Sequence, residues 1–140
     1  MVNTYHIFYP IEIIVGIDET TAQIDETSIT ASDSDWLEKQ IRENKTMSGF
    51  TTKINIQEDN MDTGVYIHLD NDILDNNELF NSTVIHESYH ACNIIYKHIQ
   101  AIPDIDNDEP FAYLLSYVYR CCIDTINEYK RNNNHNNEND

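Results

Sequence analysis

The residues best suited to chemistry are His86, Glu87 and His90, which form His-Glu-x-x-His within the stretch VIHESYHACN. Each residue of an α-helix turns by about 100°, so His86 and His90 lie about 40° apart and one turn along the axis. Both rings can then reach one metal ion at roughly 2.0–2.1 Å, the distance of a zinc–imidazole bond. Glu87 would stand beside that ion without binding it, where a general base can take a proton from zinc-bound water.

A catalytic zinc usually takes three protein ligands and keeps a fourth position for water. His98 is too far away, because it lies two turns beyond His90 and roughly 12 Å along the helix axis. Glu109 is the better candidate, since it opens the next helix after a short connection and an antiparallel return would bring it toward the histidines. The aspartates of that connection are rivals: Asp104, Asp106 and Asp108. The sequence alone does not exclude Asp108.

Tyr113 follows Glu109 by four residues and therefore lies one helical turn further along. It could point at the metal and donate a hydrogen bond to a developing oxyanion. The chain has nine tyrosines, and a core tyrosine with a satisfied hydroxyl is the competing interpretation.

The helix that carries the motif has a packing face opposite the histidines. Its members are Val84, Ser88, Ala91, Cys92, Ile95 and Ile99. Asn93 and Lys97 share the histidine face, so that face is expected to be wet. Histidines also occur on exposed helix faces without any function, but this motif gains weight from its position inside a strong helix that follows a strand.

The stretch His86-Glu-Ser-Tyr-His-Ala91, followed by Asp108-Glu-Pro-Phe-Ala-Tyr-Leu114, resembles a family of small zincin-type metallopeptidase-like proteins of tailed bacteriophages. These are similar to minimal gluzincins, in which a glutamate on the helix after His-Glu-x-x-His completes the site. The resemblance implies that His86, His90 and Glu109 bind one Zn²⁺ and that Glu87 is the base. It also implies the cytoplasm of an infected bacterium or a virion as the location, and phage structural proteins as partners.

The expected fold is α+β and minimal zincin-like, with a small, mostly antiparallel sheet packed on the motif helix and a C-terminal backing helix. A strand over 5–16 with a bend at Pro10, a mainly irregular segment over 17–34 and a helix over about 35–45 come first. Strands over 50–56 and 65–69 follow, with Asn60 and Gly64 in the turn between them. Helices from about 76–82 to 99 and over 109–130 complete the order β-α-β-β-α-α. The strand Val65–Leu69 could be an exposed edge that pairs with extended substrate.

One domain over 1–131 and an Asn-rich disordered tail over 132–140 are predicted. The 25 acidic against 8 basic side chains give a net charge of -17, which repels phosphate backbones and argues against nucleic-acid binding. No signal peptide or membrane-spanning segment is evident. Three cysteines without a framework spacing indicate reduced thiols in a cytoplasmic setting.

The predicted function is zinc-dependent peptide hydrolysis, with a peptide or protein as the substrate. The first alternative is a non-catalytic or vestigial metal site in a phage structural, assembly or interaction protein. The second is an acidic inhibitor or DNA mimic whose histidines are incidental. Substrate preference, oligomeric state and the native metal are not fixed by the sequence.

Overall fold

A computed structural model of the chain describes residues 1–7, 11–43, 47–58 and 61–137. These ranges form a four-stranded mixed sheet with helices packed on both faces. The strands are β1 (Val2–His6), β2 (Glu12–Ile17), β3 (Gly49–Glu58) and β4 (Met61–Leu69). The helices are α1 (Thr21–Asp25), α2 (Ala31–Glu43), α3 (Asn77–His98) and α4 (Glu109–Asn137). The 3-10 turns Asn71–Asp75 and Ile105–Asn107 precede α3 and α4.

The strand order in the sheet is β1-β2-β4-β3. The β1–β2 and β3–β4 pairs are antiparallel, whereas β2 and β4 run parallel, with Ile13 opposite Val65. Because parallel strands end at the same edge of a sheet, Ile17 and Leu69 are neighbours there. The residues that follow each of these two strands therefore meet at one end of the molecule.

The two central strands are buried on both faces, and successive side chains point to opposite layers. One layer contains α3 and α4, and its sheet residues are Ile13, Val15, Ile17, Val65, Ile67 and Leu69. The other layer contains α1 and α2, and its sheet residues are Ile14, Ile54, Ile56 and Tyr66. Because of this alternation, each polar side chain of the central strands lies in one of these two layers.

The helix α3 starts at a side-chain cap, because the Asn76 side chain accepts hydrogen bonds from the backbone N–H groups of Glu78 and Leu79. The helix α4 returns antiparallel beside it. Ser88 Oγ lies 3.9 Å from Cys122 Sγ, and the Phe111 ring packs on Tyr89.

The predicted order of elements is wrong in the first half of the chain. The single strand predicted over 5–16 is two strands, β1 and β2, which pair with each other, and Pro10 lies outside the described residues. The segment predicted as mainly irregular contains all of α1 and the start of α2. Asp35 lies inside α2 and does not cap it, because the helix already begins at Ala31.

The prediction that Val65–Leu69 is an exposed edge is also wrong. These residues belong to β4, which is hydrogen-bonded to β2 on one side and β3 on the other. Gly64 lies in the same strand, paired with Ile54, and is not part of the turn. The continuous apolar run is explained by burial on both faces, and the edge strand beside α3 is β3.

The helix α4 continues to Asn137, past its predicted end near Lys130. Most of the predicted disordered tail is therefore helical, and residues 138–140 lie outside the described ranges. The coarse prediction of an α+β fold is confirmed. No described helix is both long and apolar enough to cross a membrane.

Candidate functional site

His86 and His90 lie on the exposed face of α3, and their rings converge as the helical spacing requires. Their Nε2 atoms are 3.0 Å apart, and the ring planes are 80° from parallel. Two nitrogens at this distance either share a proton or face one cation. A cation at roughly 2.05 Å from both would see them at an angle of about 94°, somewhat below the tetrahedral value.

The opposite face of α3 is buried, and its packing orients the two histidines toward solvent. Its buried members are Val84, Ser88, Ala91, Cys92 and Ile95. The buried Ser88 hydroxyl donates to the Val84 carbonyl within the helix, at 2.7 Å. The predicted packing stripe is therefore present, although Ile99 follows the end of the helix and is only partly buried.

Glu87 lies between α3 and β3 and is 6% exposed. Thr51 Oγ1 on β3 donates to Glu87 Oε2 at 2.7 Å and lies 3.1 Å from the Glu87 carbonyl oxygen. Gly49 allows this close approach, since a Cβ there would lie 2.8 Å from the His68 carbonyl oxygen and 3.2 Å from Glu87 Cγ. His86 and Glu87 line a cleft of about 330 Å³ together with residues 47–49 and 82–83.

The strand β3 is covered along only part of its free edge. Residues 28–30 pair with 55–57 through the bridge Ile29–Ile56 and two backbone hydrogen bonds of 2.7 and 3.0 Å. Asp33 Oδ2 accepts a further bond from the Asn55 N–H. The described chain adds no such pairing to the edge at 49–54, which is the half nearest Glu87.

Asp108 and Glu109 are exposed at the start of α4. Phe111, two residues on from Glu109, packs against Tyr89 and Tyr96, so the first turn of α4 does return to the second half of α3. Within the ranges that the structure describes, however, no three His, Cys, Asp or Glu side chains are grouped closely enough to hold a metal. Neither Glu109 nor Asp108 joins the histidine pair in this arrangement.

Tyr113, which was predicted to donate to an oxyanion, is 73% exposed on α4. His98 forms the last residue of α3 and is not part of the histidine pair. The structure thus brings His86 and His90 together and buries Glu87 against β3, but leaves the residues predicted on α4 at the surface.

A second polar group lies on the other face of the sheet and was missed by sequence reasoning. The side chain of Glu19 is fully buried there and accepts from the Tyr66 hydroxyl at 3.0 Å. Its two oxygens lie 2.8 and 3.0 Å from Nδ1 of His68, which is 7% exposed. Burial, followed by the charge of Glu19, raises the pKa of Tyr66 well above its ordinary value.

The backbone around Glu19 is shaped for this network. Gly16 is opposite His68 in the sheet, and a Cβ on it would collide with Glu19 Oε1 and with the Tyr66 hydroxyl. Asp18 takes a left-handed conformation, with φ of 49°. A sequence signal did exist, because Tyr66 and His68 are polar residues two apart in the otherwise apolar stretch 65–69. Their partner at position 19 follows only from the parallel pairing of β2 with β4.

All three cysteines are buried, and none forms a disulfide. Burial raises the pKa of Cys92 and of Cys122 to about 12, and that of Cys121 to about 11. These side chains are therefore protonated thiols of the core between α3, α4 and the sheet, and not nucleophiles.

Comparison with protein-family models, with curated proteins and with solved structures finds no match to this chain.

Proposed function

We propose that the chain is a metal-dependent peptide hydrolase with a minimal zincin-like arrangement, in which His86 and His90 hold a divalent cation and Glu87 is the general base. The most direct support is the distance of 3.0 Å between the two Nε2 atoms at the rim of the cleft that Glu87 lines. Two neutral imidazoles suit Zn²⁺ by ligand type. A bound Zn²⁺ lowers the pKa of water toward 7 and polarises a carbonyl.

The third ligand in this proposal comes from the start of α4, with Glu109 first and Asp108 as its rival. Glu109 and Asp108 belong to an exposed stretch, and its two isoleucines, Ile102 and Ile105, are 87% and 93% exposed. Movement of this stretch toward α3 would bury apolar surface, which is favourable by about 25 cal/mol per Å². That gain supports closure of residues 101–109 on the histidine pair.

Glu87 is suited to proton transfer because it is fixed and shielded. Its Oε2 atom accepts from Thr51, which leaves Oε1 free to accept a proton. The same hydroxyl connects the base to β3, the strand whose open edge at 49–54 would pair with an extended peptide. A peptide added there would run past the cleft lined by His86 and Glu87.

The test combines metal analysis with peptide cleavage. Wild type should bind one Zn²⁺ per chain and cleave an unstructured protein substrate. The Glu87→Gln variant should retain the metal and lose roughly 10²–10⁴-fold in kcat/KM. His86→Asn should lose the metal, while His98→Asn, on the same helix but outside the pair, should behave as wild type. Full activity of the Glu87→Gln variant would rule Glu87 out as the base.

The choice between the two carboxylates is a separate experiment. Glu109→Gln and Asp108→Asn are isosteric neighbours in the same exposed turn, so each serves as the control for the other. We expect Glu109→Gln to weaken Zn²⁺ binding and Asp108→Asn to leave it unchanged. The reverse result assigns the ligand to Asp108, and no effect of either removes α4 from the site.

The alternative function is that of a non-catalytic metal-binding protein, such as a phage structural or assembly component. The observation that favours it is the burial of the Glu87 carboxylate against Thr51, since this contact also fits a carboxylate that only joins α3 to β3. In that case the protein binds Zn²⁺ through the histidine pair, no peptide is cleaved, and Glu87→Gln changes stability alone.

A further inference from the structure

The second polar group forms the base of a cleft of about 320 Å³ at the end of the sheet where β2 and β4 both terminate. We call it the His68 cleft. It is lined by Asp18, Glu19, Ile41, His68, Asp70, Asn71 and Asp72. Its carboxylates are supplied by the segments that follow the two parallel strands, a position where open sheets commonly bind ligands.

The orientation of His68 indicates that this cleft binds a ligand. A carboxylate oxygen accepts, so His68 Nδ1 donates to Glu19, and in the neutral ring Nε2 is then left as an acceptor. The ring is more than nine-tenths buried, and no hydrogen bond of Nε2 occurs within the described residues. A carboxylate that fixes an imidazole in this way is the arrangement that commonly orients histidines toward a bound cation.

The other polar groups of the cleft also present acceptors. Asp18 Oδ2 accepts from the Tyr129 hydroxyl, and Asp70 Oδ1 from the Asp72 N–H, but each carboxylate keeps a second oxygen. Among the described residues, no lysine or arginine lines the cleft. Its ligand must therefore be a donor of several hydrogen bonds with a positive charge.

We infer that the His68 cleft binds a guanidinium group, carried by an arginine side chain. A guanidinium offers five donors in one plane and is more weakly hydrated than an ammonium, so it suits acceptors that lie in several directions. Ile41 supplies an apolar wall for the methylene stem of the arginine. The cleft is also much larger than a single metal ion requires.

The His68 cleft lies on the opposite face of the sheet from Glu87. The two sites are nevertheless connected at the sheet end, because the Asp70 N–H donates to the carbonyl of Ser48, which lines the other cleft. The inference does not depend on the proposed hydrolase, and binding can be measured on the metal-free protein.

The experiment is an NMR titration with N-acetyl-arginine amide, and with N-acetyl-lysine amide and Zn²⁺ as competing probes. We expect saturable shifts of His68, Asn71 and Asp72 with the arginine probe, and at least tenfold weaker binding of the lysine probe. Equal affinity for both would overturn the guanidinium assignment, and so would displacement of the arginine probe by stoichiometric Zn²⁺. Shifts scattered over the acidic surface, without saturation, would also overturn it.

A matched pair of variants separates the cleft from the general attraction of a chain with a net charge of -17. Asp72→Asn removes one cleft carboxylate and Asp35→Asn removes one exposed carboxylate on α2; both keep the side-chain shape. Loss of one charge-assisted hydrogen bond should weaken the arginine probe roughly tenfold in Asp72→Asn. Equal effects of the two variants would contradict a site. A blocked peptide containing arginine distinguishes recognition of a peptide side chain from recognition of the free amino acid.

Discussion

The two faces of the sheet carry two different groups of histidine and carboxylate. On the α3 face, His86, Glu87 and His90 come from five consecutive residues, and both histidines are exposed. On the α1–α2 face, Glu19 and His68 are 49 residues apart, and both side chains are almost completely buried. The first group is a local pattern displayed by a helix. The second is part of the core and exists only when β2 and β4 pair.

The two groups therefore differ in what they contribute to the stability of the fold. An exposed pair of imidazoles costs the fold almost nothing, so it can be gained or lost without consequences for stability. A buried carboxylate needs hydrogen-bond or charge partners, and removal of a partner strongly destabilises the folded state. The network around Glu19 also requires Gly16 and the left-handed Asp18. The comparison can be tested through stability, with variants that affect one face at a time.

The largest effect is expected for His68→Ala, which leaves the charge of Glu19 buried without its main partner. We expect it to lower the free energy of unfolding by about 3 kcal/mol. The control is His86→Ala, which removes an exposed ring and should change stability by no more than about 0.5 kcal/mol. Denaturant unfolding of the metal-free proteins measures both, and equal losses would break the comparison.

A smaller loss is expected for Gly16→Ala, because its methyl group would collide with Glu19 Oε1 and the Tyr66 hydroxyl. Overpacking of this kind costs about 2 kcal/mol. Gly64→Ala is a matched control in the same sheet, since its Cβ would meet the side chains of Ile56, at 2.9 Å, and Ile54, at 3.2 Å, and no polar group among its nearest described atoms. Thermal unfolding should rank Gly16→Ala well below Gly64→Ala, and the opposite ranking would refute the packing explanation.

The buried thiols beneath the histidine pair predict a dependence on pH. The pKa of Cys122 is about 12 in the folded chain against an ordinary value of 9.0, so its contribution is complete below pH 9 and is lost as the pH rises toward 12. One pH unit above the ordinary value, the loss is about 1.4 kcal/mol for this thiol. Unfolding measured across that range should show a shallower decline in Cys122→Ala. An unchanged slope would indicate that Cys122 is not the responsible group.

The smallest of these effects is expected at the contact between β3 and α3. Thr51→Val removes the hydroxyl that donates to Glu87 Oε2 and should cost about 1 kcal/mol. Thr51→Ser should restore most of it, because serine keeps the donor. Thr52→Val, on the neighbouring position of β3 that faces the other layer, is the control and should be close to neutral. A serine variant as unstable as the valine variant would mean that the methyl group, and not the hydrogen bond, matters here.

The local features of the second half of the chain could be predicted from the sequence. The helical period around His86 gave α3 within one residue at its C-terminal end, and Glu109 was correctly placed at the start of α4. The α+β class also follows from the change of period after Leu69. The elements of the first half could not be predicted in the same way. The short strands β1 and β2 were predicted as one strand, and the polar residues of α1 and of the start of α2 gave no helical pattern.

The site showed the same division. The convergence of His86 and His90 follows from spacing within one helix, so the sequence was sufficient. The distance from α4 to this pair depends on how aromatic side chains such as Phe111 and Tyr89 pack, which no local pattern encodes. The pairing of Glu19 with His68 depends on the crossover that sets β2 beside β4.

By itself the sequence determined which residues one helix presents on its outer face, because a fixed turn per residue converts spacing into direction. Only the tertiary structure decided that β3 is the edge beside Glu87, that Val65–Leu69 is central, and that a carboxylate at position 19 meets an imidazole at position 68. The physical reason is that strand order and helix packing arise from contacts between distant segments, whose pairing is selected by burial of the whole core.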